Sequence, residues 1–179
     1  MEKLERINRE LAYKGTLIEI YKDTIKTPDN KIEYYDFIKH HGAAAVIPVK
    51  DDGKILMVKQ YRNALDRFTI EIPAGGLQNP GEPTKDAAAR ELEEETGYYS
   101  ENLELLLSIR TTIAFCNEKI DIYVAKNLVK TEQHLDEGEY VDVLEFDIDE
   151  LIKMVFDGTI EDSKTVNAIL AYDKVYRQK

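Results

Sequence analysis

Cysteine occurs once in this chain of 179 residues, as Cys116. No disulfide can therefore form within it, which is consistent with a reducing cytoplasm. Positive charge is also in deficit: 24 Lys and Arg stand against 35 Asp and Glu, giving a net charge of −11. Nucleic-acid binding without sequence preference needs a basic footprint, so the composition argues against that class of partner. No apolar run approaches membrane-spanning length, and the charged N-terminal stretch does not read as a signal peptide. Repeats, low-complexity stretches and linkers are missing as well. What remains is an acidic chain of ordinary apolar content, of single-domain length and able to bury a substantial core.

The acidity is concentrated in one place. Gly76-Leu77-Gln78-Asn79-Pro80-Gly81-Glu82 is followed, after seven residues, by Arg90-Glu91-Leu92-Glu93-Glu94-Glu95-Thr96-Gly97-Tyr98. At 3.6 residues per turn, Glu91, Glu94 and Glu95 fall within an arc of about 100°, and Ala88, Ala89, Leu92 and Thr96 occupy the adjoining arc. Like charges three and four residues apart cost a helix roughly 0.2–0.5 kcal/mol per pair, and crowding raises their pKa values. A hard cation reverses that penalty, because Mg²⁺ takes oxygen ligands and keeps several waters beside one or two carboxylates. Arg90 lies close to Glu94 on the projection, where its planar fork can orient that carboxylate. Gly97 reads as the left-handed stop of the helix. The plain alternative is a solvated acidic face, but random acidity does not also place Arg90, Gly97, Gly76 and Glu82 at these separations.

The segment from Gly76 to Tyr98 resembles the Nudix box, G-x5-E-x7-R-E-U-x-E-E-x-G-U, where U is a bulky aliphatic. Gly76, Glu82, Arg90, Glu91, Leu92, Glu94, Glu95 and Gly97 match position for position, and Tyr98 is an aromatic where an aliphatic is usual. So long a spaced pattern is specific. Gln60-Tyr61-Arg62, Glu71-Ile72-Pro73-Ala74-Gly75 and Asp136-Glu137-Gly138-Glu139 are similar to the ADP-ribose pyrophosphatase branch of that family. The resemblance implies an α/β fold, an α/β/α sandwich around a mixed sheet, with an N-terminal β-hairpin involved in dimerisation. Residues 1–42 would then pack on, or swap to, the partner of a homodimer, and residues 43–179 would form the hydrolase domain. Tyr13, Tyr21, Tyr34, Tyr35 and Phe37 supply aromatic surface suited to such an interface.

The local patterns are compatible with that fold. Residues 15–25 and 31–40 alternate like strands around the turn Pro28-Asp29-Asn30. Residues 43–49 and 54–60 suggest a second hairpin around Asp51-Asp52-Gly53, and 68–72 is a short strand feeding the glycine loop. Strands are expected near 103–111, 120–125 and 141–146. Two helices close the chain, 149–156 ended by Gly158 and 164–176 capped by Ser163.

The resemblance also implies roles. Metal ligands would be Glu91, Glu95, the backbone carbonyl of Ala74, and Glu139 from a later loop, holding Mg²⁺ or Mn²⁺. Pro73-Ala74-Gly75-Gly76 carries one glycine more than the branch's usual P-A-G, which lengthens the loop or shifts its register at Ala74. Glu137 would be the general base, with Arg90 and Glu94 orienting the catalytic groups and Glu82 supporting them. Arg62 matches an arginine that contacts substrate phosphate or ribose, and Glu118 matches a substrate-side glutamate. The loop before Glu118 is Thr112-Ile113-Ala114-Phe115, without the proline and glycine of an S-P-G-F-like loop. Tyr35 stands where an arginine commonly helps hold the nucleotide; it can stack on adenine or pack a sheet face on a partner. Cys116 reads as a packing residue. His40 and His41, adjacent at the start of a strand, point to opposite faces and read as structural or surface residues. The implied activity is metal-dependent hydrolysis of ADP-ribose or a related nucleoside diphosphate sugar to a nucleoside monophosphate and a sugar phosphate. The alternatives are the same chemistry on GDP-sugars, dinucleotides or nucleoside triphosphates, and a ligand-binding module without hydrolysis.

Overall fold

The computed structural model describes residues 2–16, 18–79 and 81–177; Pro80, within the spacer of the motif, lies outside the described residues. The chain divides into two compact units, Met1–Gly42 with Arg110–Lys119, and Ala43–Ile109 with Ile120–Lys179.

In the first unit, β1 (Glu5–Lys14), β2 (Glu19–Lys26) and β3 (Ile32–Lys39) form an antiparallel sheet in that order. The turn between β2 and β3 lies where the sequence places it, with Asn30 at φ 62°, a conformation Asn tolerates. Strand β1 is not apparent from the sequence. It is exposed along nearly its whole length and its register shifts between Arg6 and Asn8 and again between Leu11 and Tyr13, so no period of two survives in its side chains. Its tightest ionic anchor among the described residues is Arg9, whose guanidinium forks onto buried Asp23 with two 2.6 Å hydrogen bonds and lies 3.6 Å over the Phe37 ring. Residues 110–119 join the same unit through Ile38 N–H to Phe115 O at 2.7 Å.

The second unit is a sandwich. Strand β4 (Ala43–Pro48), buried at every residue, is flanked by antiparallel β7 (Ala74–Gly76) and parallel β10 (Lys119–Lys126), with β9 (Asn102–Arg110) beyond, making a mixed sheet. Its alternation separates two cores. Ala43, Ala45 and Ile47, with Ile120, Ile122 and Val124, pack under Leu151 of α2 (Ile148–Phe156) and Ala168 and Ile169 of α3 (Ser163–Tyr172). Ala44 and Val46, with Tyr123 and Ala125, pack under Ala87, Ala88 and Leu92 of α1 (Thr84–Thr96). This is the helix–sheet–helix layering anticipated from the sequence. Strand β5 (Ile55–Arg62) lies in a second sheet, between β12 (Val141–Phe146) and β6 (Arg67–Glu71), and β8 (Tyr98–Tyr99) pairs with β11 (Val129–Lys130).

Two expectations need correction. The hairpin of 43–49 with 54–60 reduces to an isolated bridge, Val49 to Ile55. Both segments are apolar enough to be buried on each side, and each finds its neighbours in a different sheet. The cap of α3 is Asp162, whose carboxylate accepts from Thr165 N–H at 3.0 Å, and Ser163 is the first helical residue. Beyond Tyr172 the helix widens into a π-helical turn, Asp173–Arg177, with Tyr172 and Tyr176 stacked. No helix among the described residues is long and apolar enough to cross a membrane.

One buried ion cluster ties β5, β6 and α3 together. Glu71, 3% exposed, receives both arms of the Arg62 guanidinium at 2.7 Å and also bonds Lys164 and Thr69. Burial alone would raise its carboxyl; the Arg62 fork, Lys164 and Thr69 outweigh that and bring it down to about 2. Because the folded value lies below the ordinary 4.5, the stabilisation is present above pH 4.5 and is lost as pH falls toward 2. Glu71→Gln should therefore melt roughly 4–8 °C below the wild type at pH 7, corresponding to about 2 kcal/mol, with the gap narrowing below pH 4.5. A gap independent of pH in calorimetric melts would show that the ion cluster is not its source.

Candidate active site

Helix α1 carries the motif. Pro83 precedes it in an extended conformation, which suits the residue before a helix start, and Thr84 anchors the first turn to the sheet through Asp121 at 2.9 Å and the Tyr123 hydroxyl at 2.8 Å. Gly97 ends it at φ 67° with its N–H on Glu93 O, the left-handed stop expected there. The inward stripe is Ala87, Ala88, Leu92, Glu95 and Thr96, so a carboxylate is built into the face that packs on the sheet.

Glu95 is 4% exposed and accepts the Ala74 N–H at 3.0 Å. Burial, the Glu91 charge and Glu139 push its carboxyl up to about 8, with Ala74 and Arg62 opposing. Glu91, half-buried, is raised by burial and by Glu94 and Glu139, against the attraction of Arg90. Strand β7 is glycine at the point of contact for a steric reason: a Cβ on Gly75 would run into the Glu91 carboxylate. Arg90 gathers the rest. Its Nη1 donates to Glu91 and Glu94 at 2.7 Å, its Nη2 to Gly76 O at 3.3 Å, and its Nε stands 3.6 Å from Glu82. The buried Nε has no hydrogen-bond partner among the described residues. Glu82 in turn accepts Gln78 N–H at 2.6 Å, closing the loop of the motif.

The sequence-assigned residues divide as follows. Ala74, Glu82, Arg90, Glu91, Glu94 and Glu95 are brought together by α1 and β7, and the charge of Glu139 reaches Glu91 and Glu95. Glu137 is exposed beside Gly138 (φ 87°), in a turn closed by Glu139 N–H to Asp136 O at 3.0 Å. Arg62 is engaged by Glu71 through Nε and Nη2. Beside that pair is a cavity of about 430 Å³ whose lining includes Arg62, Thr69, Glu71, Asp162 and Lys164. In the first unit, Glu118 accepts the Thr111 hydroxyl at 2.6 Å and lies 3.3 Å from His40 Nε2. Tyr35 there is exposed beside Phe37 and the 113–116 loop.

Sequence reasoning gave no role to Glu71, Lys164 or Gln133. A single carboxylate inside the apolar run Phe68-Thr69-Ile70-Glu71-Ile72 was the available signal for the first; nothing local marks the other two.

Among the described residues no three His, Cys, Asp or Glu side chains are arranged so that they could hold a metal ion. The donor set nonetheless fits a divalent cation. Desolvated carboxylates raised by one another, against a backbone that is bare at Gly75, carry the electrostatic deficit that such an ion relieves.

These features define a carboxylate-rich helix behind a glycine strand on a mixed sheet, and the comparisons with known proteins agree. The NUDIX domain family model matches residues 39–168, and the chain belongs to that family. It is 41% identical over 165 residues to the methanol dehydrogenase activator of Bacillus methanolicus, covering 91% of this chain and 89% of that protein. It is 38% identical over 173 residues to the ADP-ribose pyrophosphatase of Bacillus subtilis, covering 94% and 93%. Among solved structures, an ADP compounds hydrolase shares the fold, with a TM-score of 0.86 over 97% of this chain and 94% of that one at 20% identity.

The Glu95 carboxyl, raised from 4.5 to about 8 on folding, favours the protonated folded state. In metal-free protein its contribution is full below pH 4.5 and is lost as pH rises through 8. Metal-free Glu95→Gln should therefore gain several degrees over the wild type in melts at pH 9, but not at pH 4. Parallel melting curves across that range would remove Glu95 as the strained group.

Proposed function

We propose that this chain is a metal-dependent pyrophosphatase that splits ADP-ribose, or a related nucleoside diphosphate sugar, into a nucleoside monophosphate and a sugar phosphate. One observation carries the reading: Glu91 and Glu95, on the motif helix, are pressed against a glycine strand with Arg90 and one backbone N–H as partners. The relatives named ADP-ribose pyrophosphatase, at 38% identity in Bacillus subtilis and 32% in Mycobacterium tuberculosis, support the substrate class. The single cysteine supports work in a reducing cytoplasm.

Glu91, Glu95, Glu139 and the Ala74 carbonyl would hold Mg²⁺ or Mn²⁺. When bound, the cation supplies charge neutralisation at the phosphoryl oxygens and an acidified water. The protein's own groups do the rest. Glu137, which is exposed, is left free to take the proton of the attacking water. Arg90 keeps Glu94 and Glu91 oriented, a supporting role of the kind outer partners serve at metal sites. Arg62 commits Nε and Nη2 to Glu71 and keeps Nη1 for a phosphate or ribose oxygen. Glu118 and Tyr35 are the proposed nucleotide-side contacts of the first unit.

The second reading is suggested by the Bacillus methanolicus relative, named for activating methanol dehydrogenase: the same centre would then act in support of a dehydrogenase. One assay tests the first reading. With Mg²⁺, ADP-ribose, GDP-sugars, dinucleotides and nucleoside triphosphates are compared by phosphate released after phosphatase treatment. ADP-ribose should be cleaved best, and Glu137→Gln should lower turnover by about 10²-fold while Mg²⁺ binding persists. A different best substrate revises the specificity, and no cleavage of any compound favours a non-hydrolytic role.

The same reading extends to assembly. A homodimer, with residues 1–42 packing on or swapped to the partner and 43–179 forming the hydrolase domain, would cover the exposed Leu4, Ile7, Leu11, Tyr13, Ile32 and Tyr34. Light scattering at micromolar concentration should return twice the chain mass; a monomer mass would contradict the assembly.

A further inference from the structure

Between β11 and β12 the chain runs as a strap across the end of the acidic helix. Thr131 N–H donates to Gly97 O at 2.8 Å and His134 N–H to Glu94 O at 3.0 Å. The Gln133 side-chain amide donates to Glu95 O at 2.6 Å and to Val141 O at 3.3 Å. Glu94 O and Glu95 O belong to the last turn of α1, whose carbonyls an α-helix leaves without internal partners. The strap can come this close because position 97 has no side chain: a Cβ on Gly97 would stand 3.0 Å from Gln133 N and 3.2 Å from Glu132 C.

Gln133 therefore connects two points that matter for the loop between them. One is the backbone of Glu95, the most deeply buried of the clustered carboxylates. The other is Val141, the first residue of β12. Residues 136–140, with Glu137 and Glu139, span that interval. His134 N–H pins the start of the loop to the helix, and the Gln133 amide pins its far end to the same helix.

We propose that Gln133 is a positioning residue, whose amide holds the acidic loop to the C-terminal end of α1 and sets where Glu139 stands relative to Glu91 and Glu95 around a divalent cation. The inference rests on the metal-dependent reading above and adds a residue to it. Gln133 is exposed, so replacing it opens no hole in the core.

Gln133→Met keeps the length of the side chain and removes both donors; Gln133→Glu keeps its shape and puts oxygens in their place. Mn²⁺ binding, read from the paramagnetic resonance of the free ion, needs no turnover. Both variants should bind Mn²⁺ about tenfold more weakly, the scale seen when partners that orient metal ligands are lost, and should need correspondingly more Mg²⁺ for half-maximal rate. KM for the nucleotide at saturating Mg²⁺ should stay within about twofold and the metal-free melting temperature within about 2 °C, as expected of a small local stability change. In a Glu139→Gln background the further loss from Gln133→Met should vanish, because residues acting through one another do not add. Unchanged Mn²⁺ affinity in both variants, or an equal loss with and without Glu139, overturns the inference and leaves the proposed function standing. Unaltered Mn²⁺ binding in Glu139→Gln alone overturns the metal assignment of Glu139 and the inference with it.

Discussion

The site depends on one uncomfortable interaction: the Glu95 carboxylate is packed where the helix meets the sheet, beside Glu91 and within reach of Glu139. A buried carboxylate is stable only when neutralised, protonated or well hydrogen-bonded. Among the described residues a single backbone N–H donates to it, and the neighbouring carboxylates make its ionisation harder. The fold tolerates this because the surrounding contacts are strong. Ala87, Ala88 and Leu92 bury the same face of α1, Thr84 ties its first turn to Asp121 and Tyr123, and Gly97 and residues 131–134 clasp its end. The helix is held at both ends and along one side, so it cannot turn to bring Glu95 into water.

Two kinds of charge arrangement stand close together in the second unit and differ in sign of effect. At Glu71, cations and a hydroxyl surround a carboxylate on every accessible side, and its acidity increases. At Glu95 the partners are mostly other carboxylates, and its acidity decreases. The first arrangement is complete without a ligand and stabilises the join of β5, β6 and α3. The second leaves burial and like charge working against ionisation. That contrast, more than the number of acidic residues, sets the structural Glu71 carboxylate apart from those proposed to hold a metal.

The sequence made the site more legible than the architecture around it. Gly76, Glu82, Arg90, Glu91, Glu94, Glu95 and Gly97 share one helix and its approach, so their spacing translates directly into neighbourhood. Strand β1 left no such trace, because its exposed residues follow no period and Arg9, its anchor, meets Asp23 fourteen residues away. The hairpin expected of residues 43–49 and 54–60 failed for a related reason: a strand buried on both faces carries no mark of which neighbour it takes. Asp162 displaced Ser163 as the cap of α3 because both residues suit that position, and only the chain's path selects between them. Lys164 and Gln133 act on groups 93 and 38 residues away, distances over which a single sequence offers no guide.

The run Ala43-Ala44-Ala45 has a consequence for how finely the layers are set. Ala44 and Ala45 are completely buried on opposite faces of the central strand, so at this end of the strand, ahead of the larger Val46 and Ile47, a methyl group is all that separates its backbone from each neighbouring layer. Interiors pack at the density of organic crystals, and one added methylene there has nowhere to go. Opposite Gly75, where Ala44 is its partner in the sheet, the standoff from the acidic helix is thus set by a spacer as thin as L-residues permit.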